Sequence, residues 1–239
     1  HGRIDLFCAN AGVGAFGGVE VLDAEWQRSW DVNVMAHVYA ARALLPDWLE
    51  QGTGYLLHTA SAAGLLTNIG AAPYSVTKHA VVGLAEWLSM THGDAGVTFS
   101  CLCPMGVRTN MLLGGEDVSA GAVVLSQGVI EPDDCAAAVV EGLATERFLI
   151  LPHPEVADFE RRRATDHDRR PARMRPLPAV LEDGPPARTA AGRSWGSSSP
   201  SSSSASSPWP GPCSARSTRT RARSPSRSRR SRSPPNCGR

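Results

Sequence analysis

Tyr74-Ser-Val-Thr-Lys78 sets a phenol and a primary amine four residues apart. On a helix that spacing puts both on one side, one turn apart. A free tyrosine titrates at about 10, too high for a base at neutral pH, and a neighbouring ammonium favours its phenolate. Such a pair can pass a proton to or from a substrate oxygen. Ser61 directly follows the run Gly54-Tyr-Leu-Leu-His-Thr-Ala60, where a hydroxyl can hold that oxygen and its developing charge. Lys78 is the only lysine of the chain. An arginine, a planar fork rather than a compact point charge, would not replace it readily.

The elements that must carry these groups follow from hydrophobic spacing. Ile4–Cys8, Gly54–Ala60, Val97–Cys103 and Phe148–Leu151 are short apolar runs that read as buried strands. Between them, Asp23–Gln51 reads as one helix, with Trp26, Trp30, Val34, Val38, Ala41 and Leu45 at three- and four-residue steps. Asp23 is its expected N-cap, Gly52 its stop, and Trp26, Trp30 and Trp48 are expected to pack in the core. Pro73–Ser89 and Pro132–Ala144 complete the helices, and Glu155–Arg170 reads as a charged one. Strands alternating with helices predict an α/β fold, a doubly wound parallel sheet covered on both faces. Right-handed crossovers then bring every strand's C-terminal end to one edge, where such sheets bind ligands.

Charge divides the chain. Residues 1–154 carry six basic and sixteen acidic side chains, residues 155–239 eighteen arginines and seven acids. Three regions are expected: 1–152 as the catalytic domain, 153–181 as a charged helical extension and 182–239 as a disordered Ser/Pro/Arg-rich tail. Six cysteines without CxxC spacing suit a reducing, cytoplasmic setting, and Cys101 and Cys103 share one strand face as small hydrophobes. His37, His58, His92 and His153 lack metal-ligand spacing and read as structural or solvated. No apolar run approaches the length of a membrane span.

Further motifs, in order, make the chain resemble the short-chain dehydrogenase/reductase family over about residues 2–154. Asn10-Ala11-Gly12 resembles its NAG motif, and Asn33 its active-site asparagine. Ser61 resembles its catalytic serine, Tyr74 with Lys78 its YxxxK pair, and Pro104–Thr109 its proline-led loop beside the nicotinamide. The resemblance implies a Rossmann-like fold and a cofactor that is NAD or NADP. It implies hydride exchange with a small-molecule alcohol or carbonyl, and a homo-oligomer. Tyr74 would be general acid and base. Lys78 would hold the nicotinamide ribose and lower the Tyr74 pKa, Ser61 would polarise the carbonyl, and Asn33 would support a proton relay. Asn10, Ala11, Gly12, Pro104, Val107 and Thr109 would line the cofactor, with the Val107 backbone anchoring its carboxamide.

Met105 stands where the family usually has glycine, so the loop path beside the nicotinamide is expected to differ. Gly12-Val-Gly14-Ala-Phe-Gly17 spells GxGxxG, but Gly18-Val-Glu-Val follows it instead of a helix, so it reads as a loop of the substrate cleft. Residues 62–71 and 111–128 are expected to shape the same cleft, the latter as a lid. The family's glycine-rich phosphate turn would precede His1. The chain therefore reads as lacking its first strand–helix units, with impaired activity and an unprotected edge at Ile4–Cys8. Two other functions stay open: a non-catalytic scaffold, and RNA association through the Arg/Ser tail. GC-rich DNA read past a gene end or out of frame yields the same tail composition, and that origin is preferred to nucleic-acid binding.

Overall fold

The computed structural model describes residues 2–113 and 128–175. In chain order they form β1 (Leu6–Ala9), α1 (Asp23–Trp30), a π-helical turn (Asp31–Met35), α2 (Ala36–Gln51), β2 (Gly54–Thr59) and α3 (Ala63–Leu66). Then come α4 (Ala72–His92), a 3-10 turn (Gly93–Ala95), β3 (Val97–Leu102), β4 (Gly106–Val107), α5 (Asn110–Leu113) and β5 (Val129–Ile130). The last are α6 (Pro132–Ala144), β6 (Leu149–Ile150), α7 (Glu155–Thr165) and α8 (Arg169–Met174). The tail at 182–239 and most of the expected lid, 114–127, lie outside the described residues.

β1, β2, β3 and β6 form one parallel sheet in that order, and β4 and β5 pair separately. Opposite residues such as Leu56 and Phe99, or Leu57 and Ser100, share a face. Leu56 and Phe99 pack under Ala41 and Trp48 of α2 and Leu88 of α4. Leu57, Leu102 and Ile150 pack under Cys135, Val139 and Leu143 of α6. Each central strand is therefore apolar on both sides, as its unbroken hydrophobic sequence predicts.

Several expectations need correction. Asp23–Gln51 is not one uninterrupted helix: an extra residue enters at Asp31–Met35 and widens one turn. Of the tryptophans expected in the core, Trp48 is core at 2% exposure while Trp30 is 40% exposed. Leu22, not Asp23, occupies the N-cap; Asp23 starts the helix itself and makes no side-chain cap bond. β1 is the apolar edge expected at Ile4–Cys8 rather than a strand buried on both sides: it pairs only with β2 and leaves Leu6 and Phe7 exposed. The charged run also splits at Asp166 into α7 and α8. Gly52 does end α2, in the left-handed conformation. Val156 of α7 is fully buried in the cluster that holds Leu65 and Val82.

Candidate active site

The C-terminal ends of β2 and β3 build the floor. Hydrogen bonding continues past both strands: Ala60 N–H donates to the Leu102 carbonyl at 2.9 Å and Ala62 N–H to that of Pro104 at 2.8 Å. This holds Ser61 beside the proline-led loop. Its hydroxyl accepts from Ala63 N–H at 3.1 Å and leans towards the Pro104 carbonyl at 3.4 Å. Gly17 bridges to residues 70–72 by two backbone bonds, Gly17 N–H to Gly70 O at 2.7 Å and Ala72 N–H to Gly17 O at 2.8 Å. With φ at +109°, Gly17 takes a turn that a side chain would resist.

α4 starts next to that bridge, with Pro73 in its first turn, and carries Tyr74 and Lys78. Lys78 Nζ lies 5.7 Å from the centre of the Tyr74 ring and donates to the Thr59 carbonyl at 2.9 Å. Phenol, ammonium and the Ser61 hydroxyl line one cavity of about 740 Å³. Asn10, Ala11 and Gly12 line its β1 side, and Pro104, Val107 and Thr109 its β3 side. Asn33 stands behind the wall, fully buried in the π-helical turn. Its Nδ2 donates to the Val13 carbonyl at 3.0 Å and to Thr77 Oγ1 at 3.1 Å, and its Oδ1 accepts from Val13 N–H at 2.8 Å. The side chain is thus a clamp on the Asn10–Val13 loop rather than a lining group.

Three comparisons bear on this arrangement. The family model described as short chain dehydrogenase matches residues 1–116. A short chain dehydrogenase/reductase from Burkholderia phymatum, solved in complex with NAD, superposes with a TM-score of 0.63 at 32% identity, over 70% of this chain and 67% of that one. This chain belongs to the short-chain dehydrogenase/reductase family. Among curated relatives, 1-deoxy-11-beta-hydroxypentalenate dehydrogenase of Streptomyces exfoliatus is 34% identical over 63% of this chain and 55% of its own length. Meso-2,3-butanediol dehydrogenase of Serratia marcescens is 39% identical over 47% of this chain and 45% of its own. The chain thus spans about half the length of the curated relatives it matches.

In this short-chain dehydrogenase/reductase chain, burial governs the electrostatics. Desolvation pushes the Lys78 amine down to about 8, against the pull of Cys101 and Cys103. It pushes the Tyr74 phenol up, while the Ser61 hydroxyl beside it works the other way. The expected lowering of Tyr74 by Lys78 is therefore not what the site does by itself. The ammonium is directed at the Thr59 carbonyl, and burial sets the direction of the phenol's shift.

Sequence reasoning left Arg170, Met174 and Cys135 out of the site and read His37, His58 and His153 only as structural or solvated. Arg170 and Met174 of α8 and Cys135 of α6 reach the cavity wall, although α8 was expected only as an extension. His153 accepts a hydrogen bond from Met105 N–H at 3.2 Å through Nδ1, which fixes the loop where methionine replaces glycine. His37 and His58, both buried, face one another with Nδ1 atoms 2.9 Å apart. No periodic pattern marks any of these residues. Among the described residues no cluster of histidines, cysteines and acids could hold a metal ion, and no helix is long and apolar enough to cross a membrane.

Proposed function

We propose that this protein exchanges hydride between NAD or NADP and a small-molecule alcohol/carbonyl pair, with Tyr74 as general acid and base. The observation that carries the reading is the convergence of Tyr74, Ser61 and Lys78 on one cavity at the mouth of a parallel sheet. The NAD bound to the Burkholderia phymatum relative supports the cofactor class. So does the wall around Gly12, where a Cβ would lie 3.4 Å from Asn33 Oδ1 and 3.5 Å from Lys78 Nζ. The missing side chain leaves the ammonium and the cavity open to each other, which suits hydroxyl-rich ribose.

When bound, the nicotinamide supplies or accepts the hydride. Every other task falls to this chain. Ser61 donates to the substrate oxygen and fixes it beside the phenol. Tyr74, held in its protonated form by burial, gives its proton to that oxygen in reduction and takes it back in oxidation. Lys78 holds the ribose hydroxyls and supplies positive charge as the phenolate forms. Asn33 keeps the Asn10–Val13 loop at its distance from α4 through Val13 and Thr77. The Val107 backbone and Thr109 meet the carboxamide end, and the apolar walls exclude water. Exposed Trp30, Tyr39, Trp87 and Met90 support a homo-oligomer that covers α1, α2 and α4. The free Cys8, Cys101, Cys103 and Cys135 support a reducing, cytoplasmic setting.

The reading is tested by following nicotinamide absorbance with both cofactors against a panel of secondary alcohols and ketones. Turnover that falls about a hundredfold in Ser61→Ala is the expected result. Cofactor binding without turnover on any pair would instead favour a scaffold.

A further inference from the structure

The cavity wall is uneven in chemistry. Phe16, Ile69, Met111 and Met174 make much of it apolar, and no aspartate or glutamate lines it among the described residues. Two cations do, Lys78 and Arg170. Lys78 is committed to the Thr59 carbonyl and to the chemistry at Tyr74. Arg170 has no such commitment. Its Nη2 donates to the Thr67 carbonyl at 3.4 Å, the far end of hydrogen-bond range, which engages one of five donors. No carboxylate pairs with it among the described residues, although Arg161 of α7 pairs with Asp158. Arg170 is half-buried, and its guanidinium is pushed down by that burial and by neighbouring Arg163. A partly desolvated cation beside a like charge is stabilised when an anion arrives.

Arg170 reaches the cavity wall beside Thr67. Thr67 belongs to the loop between α3 and α4, which leads to Tyr74 from the N-terminal side. The cofactor-side residues Asn10, Ala11 and Gly12 follow β1.

We propose that the substrate has an apolar body ending in a carboxylate, which Arg170 binds while the reacting oxygen sits at Tyr74 and Ser61. The inference rests on the oxidoreductase reading for the second half of that statement only. A guanidinium fork meets a carboxylate through two parallel hydrogen bonds, and this fixes how far the reacting carbon lies from the anchored end.

The test uses the full chain and two ketones that differ in charge, benzoylpropionate and its methyl ester, with binding read by calorimetry. The acid is expected to bind at least about tenfold more tightly than the ester, and Arg170→Gln to remove that preference while leaving ester affinity unchanged. Arg170→Lys, which keeps the charge, should retain part of the preference and guards against a folding artefact. Equal affinities in the unmodified chain, no binding of the acid, or an unchanged preference in Arg170→Gln would overturn the proposal. So would a loss of NADH binding in Arg170→Gln, which would assign the arginine to the cofactor. Failure of the oxidoreductase reading appears separately, as acid-selective binding without turnover.

Discussion

Lys78 Nζ donates to the Thr59 carbonyl at 2.9 Å, so the middle of α4 is tied to the last residue of β2. The bond sets the ammonium beside the strand end from which Ser61 emerges, and one helical turn from Tyr74. Binding groups from two elements are thereby held without a loop between them, which suits a site that must keep its geometry through turnover.

This buried amine makes stability depend on alkaline pH. Its folded pKa, about 8, is below the ordinary lysine value of 10.5. Between those values the unfolded chain holds the proton and the folded chain does not, so stability rises with pH across that window. Chemical denaturation between them should show the rise, and Lys78→Met should flatten it.

The His37–His58 pair acts at the other end of the scale. Burial lowers His37 to about 3, with His58 and Lys78 adding to the effect, and lowers His58 to about 4, both from 6.5. Below 6.5 the unfolded chain takes up protons that the folded chain refuses, so the contribution of this pair is level above that pH and falls as pH drops through the window. The denaturation midpoint should drop in mild acid, and a double His37→Leu, His58→Leu variant should lose most of that dependence.

Asn33→Ala removes all three bonds of the clamp and strands Val13 N–H and the Val13 carbonyl. The expected cost is about 2–3 kcal/mol, read from denaturant unfolding. Asn33→Asp should be no milder, since it turns an oxygen towards the Val13 carbonyl.

Gly64 in α3 lies against the Lys78 carbonyl, at 2.5 Å from where a Cβ would be. Backbone cannot yield as a flexible side chain can. Gly64→Ala should therefore destabilise the fold by about 1–3 kcal/mol and reduce turnover as α4 shifts. A variant as stable and active as the parent would contradict this packing.

Much of this was legible in the sequence, for a physical reason. Tyr74 and Lys78 interact across one helical turn, and Ser61 is fixed by the end of its own strand, so local spacing carries the information. The π-helical turn at Asn33 escapes because one inserted residue barely disturbs apolar periodicity over so long a helix. Arg170 escapes because its place depends on a contact with Thr67, 103 residues away. The four-residue α3 and the two-residue strands β4 and β5 are too short to show any period. The upward shift of Tyr74 depends on how completely packing removes water, which no spacing reveals.

The central claim is that the Tyr74 phenol exchanges a proton with the substrate oxygen. Turnover and cofactor affinity of Tyr74→Phe, measured side by side with the parent protein, test it most directly. The account predicts that turnover falls by about 10²–10⁴-fold while nicotinamide affinity stays within a few fold. Turnover that survives the loss of this one hydroxyl would contradict it.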